Sequence, residues 1–415
     1  MKAEIITIGD EILIGQTVDT NSAWIAQELN LLGIDVVRIV SISDKKDEIF
    51  KALNNARKNT DLVLITGGLG PTDDDITKKT LAEYFDTKLV QNKEVLKHVE
   101  EFVIKRKAHM NDRNVKQADV PENCSIIKNE IGTAPGMLFN KGDVTYISMP
   151  GVPFEMKRMM TQFILPELAK IEKGYYIIHK VILTQGWPES KLAEHLEEWE
   201  NQIPEEISVA YLPSPGIIKL RLTAKGTNQE HLINLISDQV KKLKILIPRL
   251  ICGYDNDKLE DIVGMLLNKE KKTLSLAESC TGGNISHLIT SIPGSSEYFL
   301  GGVVAYSNQI KEAVLFVNNN SIVNYGAVSK QVVEEMAMGV RRLYKSDFSI
   351  ATSGIAGPGG GTEEKPVGTT WIAVASETMV LSKKYVLGNH RGRNIQMASI
   401  IALNMLRKLI LGIEL

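Results

Sequence analysis

The sequence contains little cysteine and no cysteine motif. Cys124, Cys252 and Cys280 are its only cysteines, and they lie far apart without a CxxC pair. Structural zinc sites and disulfide frameworks need closely organised cysteines, so the sequence supports neither. Three isolated thiols fit a protein that resides in a reducing compartment.

A long apolar run and a surplus of one charge are also missing. The formal net charge is -2. Nucleic acids and anionic membranes select basic surfaces, so we expect neither as a main partner. Glu4, Asp10 and Glu11 interrupt the apolar N-terminal residues, which predicts a strand and turn rather than a signal peptide. Because no apolar run is long enough to cross a bilayer, we expect a cytoplasmic protein.

The length of 415 residues favours two or three domains. In residues 1–170, strand-like and helix-like segments alternate, which predicts a three-layer α/β domain with a parallel sheet covered on both faces. Residues 171–255 are predicted to form a small α+β connecting domain. A spacer or dimerisation role and a substrate-binding role both stay open for it. Residues 256–415 are predicted to form a second α/β domain.

A glycine-rich turn follows the apolar segment at 62–66. Without Cβ atoms, such a turn lets backbone N–H groups approach a phosphate closely. The N-terminus of the helix that follows would add partial positive charge. The turn consists of Gly67, Gly68, Leu69, Gly70, Pro71 and Thr72.

Three consecutive aspartates, residues 73–75, come directly after this turn. Carboxylates would repel a naked diphosphate, so a divalent cation between them is one explanation of the pattern. The alternative is that the aspartates only cap the next helix. The spacing alone leaves both explanations open.

Two further turns are expected at the same edge of the sheet, because the carboxyl ends of parallel strands face one crevice. One ends the first strand, and the other is a proline-containing turn after the apolar segment at 144–148. Asn21 could reach the same crevice or could instead cap the first helix. The other residues concerned are Gly9, Asp10, Glu11, Gly151 and Glu155.

A sharp strand-to-helix turn carries the candidate nucleophiles of the C-terminal domain. The apolar segment 273–277 runs into Glu278, Ser279 and Cys280. Such a turn exposes a nucleophile, and nearby backbone N–H groups, here around residues 281–283, can stabilise an oxyanion. From the residues alone, Ser279 or Cys280 could serve.

No histidine lies in an obvious partner motif, which argues against a Ser–His–Asp triad and requires another base. Lys311 lies one turn into a predicted helix, five residues after Tyr306. A lysine is a useful base only if burial or a nearby cation lowers its pKa so that it is neutral. Tyr306 could relay or orient the proton. The alternative for Lys311 is a solvated helix lysine.

A second glycine-rich loop, with Ser353, Gly354 and Gly357, follows another predicted buried strand. It could cradle a phosphate or a flat ring with its backbone. Arg391 lies near a predicted helix start, with a second arginine two residues later. Guanidinium groups suit a bidentate phosphate contact; a solvated basic loop is the alternative.

Together these blocks resemble the CinA family (competence/damage-inducible protein A). Residues 9–13, 19–21, 67–72, 74–75, 150–153 and 155–156 are similar to the MogA-like, molybdopterin-binding domain of that family. The resemblance implies an ADP-ribose pyrophosphatase that forms AMP and ribose 5-phosphate, with Asp74 and Asp75 holding a divalent metal. Binding without hydrolysis is the alternative, since related domains only bind molybdopterin. The implied substrate contacts are Gly9, Asp10, Glu11, Asn21, Gly67, Gly68, Gly70, Pro71, Thr72, Gly151 and Glu155.

Residues 258–415 are similar to the C-terminal domain of the same family, a nicotinamide-nucleotide amidase. The resemblance implies that Ser279 attacks the amide of nicotinamide mononucleotide, with Lys311 as base, Tyr306 assisting and no cofactor. Arg391 would hold the 5′-phosphate, and Cys280 would be a packing residue. The other implied substrate contacts are Thr281, Gly282, Gly283, Ser353, Gly354 and Gly357.

The family resemblance also implies a homodimer. We therefore expect a two-headed salvage enzyme that acts on nicotinamide mononucleotide and ADP-ribose. The family name suggests one further hypothesis, a DNA-uptake or recombination accessory. The net charge of -2 and the absence of a basic stripe count against it.

Overall fold

The structure is a computed structural model that describes residues 1–56, 58, 60–72, 75–171 and 174–414. It forms two compact units, which we describe separately. Unit 1 comprises Met1–Ile178 and Ala224–Ile233, and unit 2 comprises His179–Thr223 and Asn234–Leu415. The predicted connecting segment, 171–255, therefore contributes residues to both units.

Unit 1 is built on a six-stranded sheet. The strands are β1 (Lys2–Ile8), β2 (Asp35–Ile42), β3 (Leu62–Thr66), β4 (Leu89–Gln91), β5 (Asp119–Pro121), β6 (Ser125–Ile127), β7 (Gly136–Lys141) and β8 (Val144–Met149). The helices are α1 (Asp10–Leu13), α2 (Thr20–Leu31), α3 (Lys46–Ala56), α4 (Thr77–Tyr84), α5 (Lys93–Lys105), α6 (Asp112–Gln117), α7 (Pro153–Met159) and α8 (Leu165–Ile171), the last two joined by a π-helical turn over Met160–Ile164.

The sheet of unit 1 has the order β2-β1-β3-β8-β7-β6, and its first four strands are parallel. All five residues of β3 are buried, because alternate side chains enter different cores. Val63 and Ile65 pack with residues of α3 and α4, whereas Leu62 and Leu64 pack with residues of α2 and α7. The predicted α/β domain with helices on both faces is confirmed. The antiparallel edge formed by β6 and β7 was not predicted.

The register of the central strands aligns their carboxyl ends. Thr66 of β3 pairs with Thr7 of β1 on one side and with Met149 of β8 on the other. The turns that follow these three strands therefore meet at one edge of the sheet. This is the edge at which an open α/β sheet binds its ligands.

A four-stranded sheet belongs to the connecting segment, in the order β10-β11-β9-β12. Its strands are β9 (Tyr176–Thr184), β10 (Ile207–Ser214), β11 (Ile217–Gly226) and β12 (Ile251–Tyr254), and its helices are α9 (Glu189–Glu200) and α10 (Gln229–Leu246). The α+β character predicted for this segment is confirmed.

The remainder of unit 2 is a second α/β arrangement. Its sheet has the order β14-β13-β15-β16-β17, with β14, β13 and β15 parallel and the last two strands antiparallel. The strands are β13 (Leu274–Glu278), β14 (Phe299–Val304), β15 (Phe348–Gly354), β16 (Thr369–Ala375) and β17 (Val380–Val386). The helices are α11 (Leu259–Glu270), α12 (Asn284–Thr290), α13 (Asn308–Leu315), α14 (Asn319–Tyr325), α15 (Lys330–Tyr344) and α16 (Arg391–Ile410).

The core of this sheet follows the same rule of alternation. Leu276 of β13 and Ile350 of β15 pack with residues of α11 and α16, whereas Ala277 and Ala351 pack with residues of α15. Since β13 is buried along its whole length, the residues after Glu278 start from a rigid strand end. None of the helices in the described part of the chain combines the length and apolarity that a bilayer crossing requires.

Candidate functional site

Ser279 and Lys311 form a buried pair in unit 2. The Nζ of Lys311 lies 3.2 Å from the Oγ of Ser279, and the lysine side chain is only 2% exposed. Ser279 immediately follows β13, and Lys311 lies in the first turn of α13, which Ser307 caps by accepting the N–H of Ile310. Two residues 32 positions apart are thus brought within proton-transfer distance.

The surroundings of Lys311 make its neutral form easier to reach than that of an exposed lysine. Burial lowers the pKa of Lys311, and no carboxylate within the described ranges pairs with it. Its Nζ donates hydrogen bonds to the carbonyl oxygens of Ala305, at 2.9 Å, and Tyr306, at 3.4 Å. A neutral amine has two N–H groups and one lone pair. With both N–H groups on carbonyls, the lone pair is left for the hydroxyl of Ser279.

The carboxylate of Glu278 holds the turn that carries Ser279. It is buried, and it accepts the backbone N–H groups of Gly283 at 3.0 Å, Ile285 at 3.0 Å and Ser286 at 2.8 Å. These N–H groups belong to the start of α12, where orphan donors and the helix dipole favour a negative charge. The sequence places Glu278 beside the candidate nucleophile but does not indicate a role for its side chain.

This arrangement changes the expected oxyanion donors. The N–H of Gly283 is donated to Glu278, and the N–H of Gly282 is donated to the carbonyl oxygen of Ser279 at 3.1 Å. Of the N–H groups around 281–283 that were expected to stabilise an oxyanion, those of Gly282 and Gly283 therefore already have acceptors within the protein. Gly282 keeps an open space around its α-carbon, with a φ of +61°.

Cys280 has the environment of a packing residue. It is buried, and burial raises the pKa of its thiol to about 12. Nucleophilic cysteines need a lowered pKa, because the thiolate is the reactive form. The neighbouring Thr281 bonds through its Oγ1 to the Oγ1 of Thr352 at 2.7 Å, and the N–H of Ser279 is donated to the carbonyl of Thr352 at 3.0 Å. These contacts tie the turn to the end of β15.

Arg391 links two other predicted residues, Tyr306 and Gly357. Its Nη2 donates to the phenol oxygen of Tyr306 at 3.0 Å, and its Nη1 donates to the carbonyl oxygen of Gly357 at 2.9 Å. Tyr306 is 61% exposed, so its phenol lies at the surface while its carbonyl contacts the amine of Lys311. Tyr306 therefore connects the guanidinium group of Arg391, through its phenol, with the amine of Lys311, through its carbonyl oxygen.

Ser353 and Gly354 lie at the end of β15, and they support the site. The hydroxyl of Ser353 is buried and donates to the carbonyl oxygen of Ala327 at 2.7 Å. A Cβ at Gly354 would lie 2.8 Å from the carbonyl oxygen of Thr369. Both residues therefore fix the backbone that precedes the Gly357 loop.

The predicted N-terminal residues gather around a cavity of about 370 Å³ in unit 1. Its glycines are required by close backbone approaches. A Cβ at Gly67 would lie 2.0 Å from the carbonyl oxygen of Ile8, and one at Gly68 would lie 2.0 Å from the Oγ1 of Thr77. The predicted residues that line this cavity are Gly9, Glu11, Gly67, Gly68, Gly70, Pro71, Asp75, Gly151 and Glu155.

Three other predicted residues of this site lie outside the cavity lining. Asn21 is buried and ties two strand ends together, donating to Thr66 Oγ1 at 3.2 Å and to the carbonyl oxygen of Gly151 at 2.7 Å. Asp10 and Thr72 also lie beside the cavity rather than in its lining. The helix-cap alternative for Asn21 does not hold, because Asp19 caps α2 by accepting the N–H of Ser22.

Acidic groups concentrate at this cavity. Asp75 accepts both the N–H of Thr72, at 3.1 Å, and its hydroxyl, at 2.5 Å, as a turn cap would. Asp44, which sequence analysis did not single out, lines the same cavity and accepts the N–H of Asp10 at 3.1 Å. Burial raises the pKa of Asp44, and repulsion from Asp10, Glu11 and Asp75 raises it further.

The fit of this cavity to a divalent metal rests on these carboxylates. Asp74, the other predicted ligand, lies outside the described residues. In the part of the chain that the structure describes, no group of three or more His, Cys, Asp or Glu side chains is close enough to hold an ion. The described carboxylates of Asp44 and Asp75 thus repel one another without forming a complete ligand set, and a cation or a cationic ligand would relieve that repulsion.

Comparisons with known proteins cover the whole chain. Residues 4–170 match a family model described as a probable molybdopterin binding domain, residues 179–253 match the damage-inducible protein CinA KH domain, and residues 256–410 match the CinA C-terminal domain. The chain is 49% identical to a CinA-like protein of Cytophaga hutchinsonii over 406 residues, covering 98% of this chain and 97% of the relative. A CinA-like protein of Flavobacterium psychrophilum is 47% identical over 413 residues, covering 99% of each.

Solved structures of related proteins cover only part of the chain. CinA from Thermoplasma acidophilum is 35% identical, with a TM-score of 0.38, and it covers 40% of this chain and 97% of its own. A CinA superfamily protein from Escherichia coli is 30% identical, with a TM-score of 0.37, over 39% of this chain and 98% of its own.

The fold and the two sites define a multidomain α/β protein with a glycine-rich acidic pocket in one unit and a buried serine–lysine pair in the other. The chain belongs to the CinA family, as its domain matches and full-length relatives show. The resemblance noted in the sequence is thereby confirmed. The KH domain of the connecting segment was not identified from the sequence.

Proposed function

We propose that unit 2 is an amidase that converts nicotinamide mononucleotide into nicotinic acid mononucleotide and ammonia. The observation that carries the proposal is the 3.2 Å approach of the Lys311 amine to the Ser279 hydroxyl in a buried site. A serine hydroxyl attacks an amide only when a base takes its proton. Lys311 is the basic group in contact with it.

The reaction proceeds in two halves. In the first, Lys311 takes the proton of Ser279, and the Oγ forms a bond to the carboxamide carbon. The tetrahedral oxyanion is stabilised by the N–H groups of Cys280 and Thr281. Lys311 then returns the proton to the departing nitrogen, which leaves as ammonia, and an ester on Ser279 remains. In the second half, Lys311 takes a proton from water, the hydroxide attacks the ester, and Ser279 is released with its proton restored.

Arg391 is proposed to bind the 5′-phosphate of the substrate. Its guanidinium lies at the mouth of the site, held by Tyr306 and Gly357. A guanidinium that is already oriented loses little entropy when it donates hydrogen bonds to a phosphate. Tyr306 is thus placed to orient Arg391 through its phenol and Lys311 through its carbonyl.

The test is product analysis by mass spectrometry after incubation with nicotinamide mononucleotide. We expect equal amounts of nicotinic acid mononucleotide and ammonia. Lys311→Met should lower the rate by about 10²–10⁴-fold, the usual worth of a positioned base. Lys330→Met, which changes an exposed lysine of α15, is the matched control. Unchanged substrate with wild-type protein, or full activity in Lys311→Met, would contradict the proposal.

For unit 1, we propose binding and hydrolysis of ADP-ribose to AMP and ribose 5-phosphate. The glycine turn at 67–70 supports a diphosphate contact, and the carboxylates of Asp44 and Asp75 support a need for a cation. A divalent metal held by Asp75, Asp44 and Asp74 would supply the charge that neutralises the diphosphate. The alternative is a pocket that binds molybdopterin or a nucleotide without hydrolysis.

Formation of AMP from ADP-ribose in the presence of a panel of divalent metals separates these alternatives. Metal-dependent AMP release supports hydrolysis. Saturable binding of ADP-ribose without AMP release supports a binding pocket. We further propose that the protein is cytoplasmic and forms a homodimer. Light scattering tests the oligomeric state. A salt-dependent DNA shift assay tests the nucleic-acid accessory hypothesis.

A further inference from the structure

Another cavity, of about 530 Å³, lies in unit 2 and has no assigned role. Its walls come from residues 184–189, residues 213–218, β17 and α16. None of the residues proposed for the amidase lines it. Arg393 of this cavity and Arg391 of the amidase site lie two residues apart in the first turn of α16.

The charged side chains of this cavity are mainly cationic. Lys383, Arg393 and Lys408 line it, and Glu189 is its one carboxylate. Within the described ranges, the side chains of Lys383 and Arg393 make no hydrogen bond or ion pair. Among residues 174–414, the Nζ of Lys408 has one hydrogen-bond partner, the backbone carbonyl of Glu414 at 3.4 Å.

The electrostatics of Lys408 reflect the other cationic side chains around it. Burial lowers the pKa of Lys408, and repulsion from Arg407, Lys383 and Arg249 lowers it further. Arg249 already pairs with the carboxylate of Glu414 at 2.5 Å. A bound anion would supply the missing negative charge.

A buried chain of amides also leaves an unsatisfied donor in a residue of the cavity wall. Arg407 Nε can only donate, and it donates to Asn404 Oδ1 at 2.7 Å. The Nδ2 of Asn404 must therefore face Gln185, where it donates to Oε1. This orientation leaves the buried Nε2 of Gln185 without a partner in the described structure. Gln185 lines the cavity, so the unsatisfied group there is a donor, and it requires an acceptor.

The remaining walls are apolar and aromatic. Trp187, Met397 and Ile401 line the cavity together with Tyr385. Burial raises the pKa of Tyr385 to about 12, so its phenol stays protonated. Among the described residues, its hydroxyl makes one hydrogen bond, a weak one to the sulfur of Met405 at 3.6 Å. The flat ring of a ligand would pack against the apolar wall, and an anionic group on the same ligand would contact the cationic side chains.

We propose that this cavity binds a small aromatic monophosphate, of the class of a nucleoside 5′-monophosphate, at a site separate from both proposed catalytic sites. The phosphate contacts Lys383, Lys408 and Arg393, and the ring lies against the apolar wall that includes Trp187. The unsatisfied amide of Gln185 donates to an acceptor atom of the ligand.

The test is isothermal titration of the full chain with AMP, adenosine and inorganic phosphate. We expect AMP to bind more tightly than either of its halves. The double variant Lys383→Ala/Lys408→Met should weaken this binding by at least about tenfold, because charge-assisted hydrogen bonds are lost. Lys384→Ala is the matched control, since it removes the next lysine on β17, which does not line the cavity.

Gln185→Leu is a second variant that keeps the proposal testable if the double variant folds poorly. It should also weaken AMP binding, with thermal unfolding measured in parallel. AMP is also the product proposed for unit 1 and can bind there. AMP binding to the unit 2 cavity is therefore measured by the change in affinity that the unit 2 variants cause. AMP isotherms that are unchanged in both the double variant and Gln185→Leu would overturn the proposal, as would an absence of AMP binding to the wild-type protein.

Discussion

The guanidinium of Arg391 donates a hydrogen bond to the phenol oxygen of Tyr306 at 3.0 Å. This contact joins the surface rim of the amidase site to the backbone that also holds the Lys311 amine. In the proposed amidase reaction, the pair would recognise the end of the substrate that does not react. Binding energy from such a remote group can position the reacting amide.

Arg391→Ala should abolish the preference for a phosphorylated substrate. We expect kcat/KM for nicotinamide mononucleotide to fall by about 10–100-fold, the worth of a charge-assisted contact, while the value for nicotinamide riboside changes little. The measurement is the ratio of kcat/KM for the two substrates. Tyr306→Phe should reduce the same ratio more weakly, through KM. A ratio that stays at the wild-type value in Arg391→Ala would contradict the phosphate role.

Glu278→Gln should slow the reaction although the side chain keeps its shape. An amide presents one oxygen and one NH₂ group to the N–H groups at the start of α12, so at least one buried N–H loses its acceptor. We expect kcat to fall by about tenfold or more and the free energy of unfolding to fall by about 1–3 kcal/mol.

The readouts for Glu278 are kcat and KM measured separately, together with urea unfolding. Glu297→Gln, in the short 3₁₀ turn before β14, is a control that keeps the turn of Ser279 intact. An unchanged kcat with lowered stability would mean that Glu278 supports only the fold.

The pH dependence of stability should report the buried amine of Lys311. An unfolded lysine has a pKa of about 10.4, and burial lowers the folded value. Between the two values the unfolded chain binds more protons, so the free energy of unfolding rises with pH in that window. Wild type should therefore gain stability relative to Lys311→Met as the pH rises from neutral toward that upper value.

The free energy of unfolding of both proteins is measured by urea unfolding across this pH range. Lys384→Met is the exposed-lysine control. The amidase rate should rise with pH over the same range until the folded lysine is neutral. A stability difference between wild type and Lys311→Met that is independent of pH would contradict the neutral-amine assignment.

Asp44→Asn should change the metal requirement of unit 1. The substitution removes one of the mutually repelling carboxylates at the glycine turn. If a cation is held there, the metal concentration that gives half-maximal AMP release should increase by at least about tenfold, as expected for loss of a charged ligand. Asp47→Asn, on the exposed side of α3, should leave this concentration unchanged. The same metal dependence in Asp44→Asn and Asp47→Asn would exclude Asp44 from the site.

Much of the fold was predictable because the central strands are rich in apolar residues and buried. β3 and β13 are buried on both faces, and each is followed by a glycine-containing turn. The edge strands were harder to predict. In β14 half-buried and exposed residues alternate, and two glycines, Gly301 and Gly302, weaken the strand signal.

The candidate sites were predictable only in part, because their contacts join distant segments. The sequence places Ser279 in a suitable turn, but nothing in the spacing alone shows that Lys311, 32 residues later, is buried against it. Asp44 follows a strand on the other side of β1, so only the sheet order brings it to the glycine turn. The role of Glu278 depends on its carboxylate turning back toward the start of α12.

The most direct test of the serine–lysine centre compares ammonia release from nicotinamide mononucleotide by Ser279→Ala and Cys280→Ala proteins. The two variants change adjacent residues of one turn, and only the first removes the group that contacts Lys311. We predict that Ser279→Ala loses at least about 10³-fold in kcat, as removal of a covalent nucleophile does, while Cys280→Ala stays within about threefold of wild type. Ammonia release at the wild-type rate by Ser279→Ala, or a loss confined to Cys280→Ala, would contradict the account.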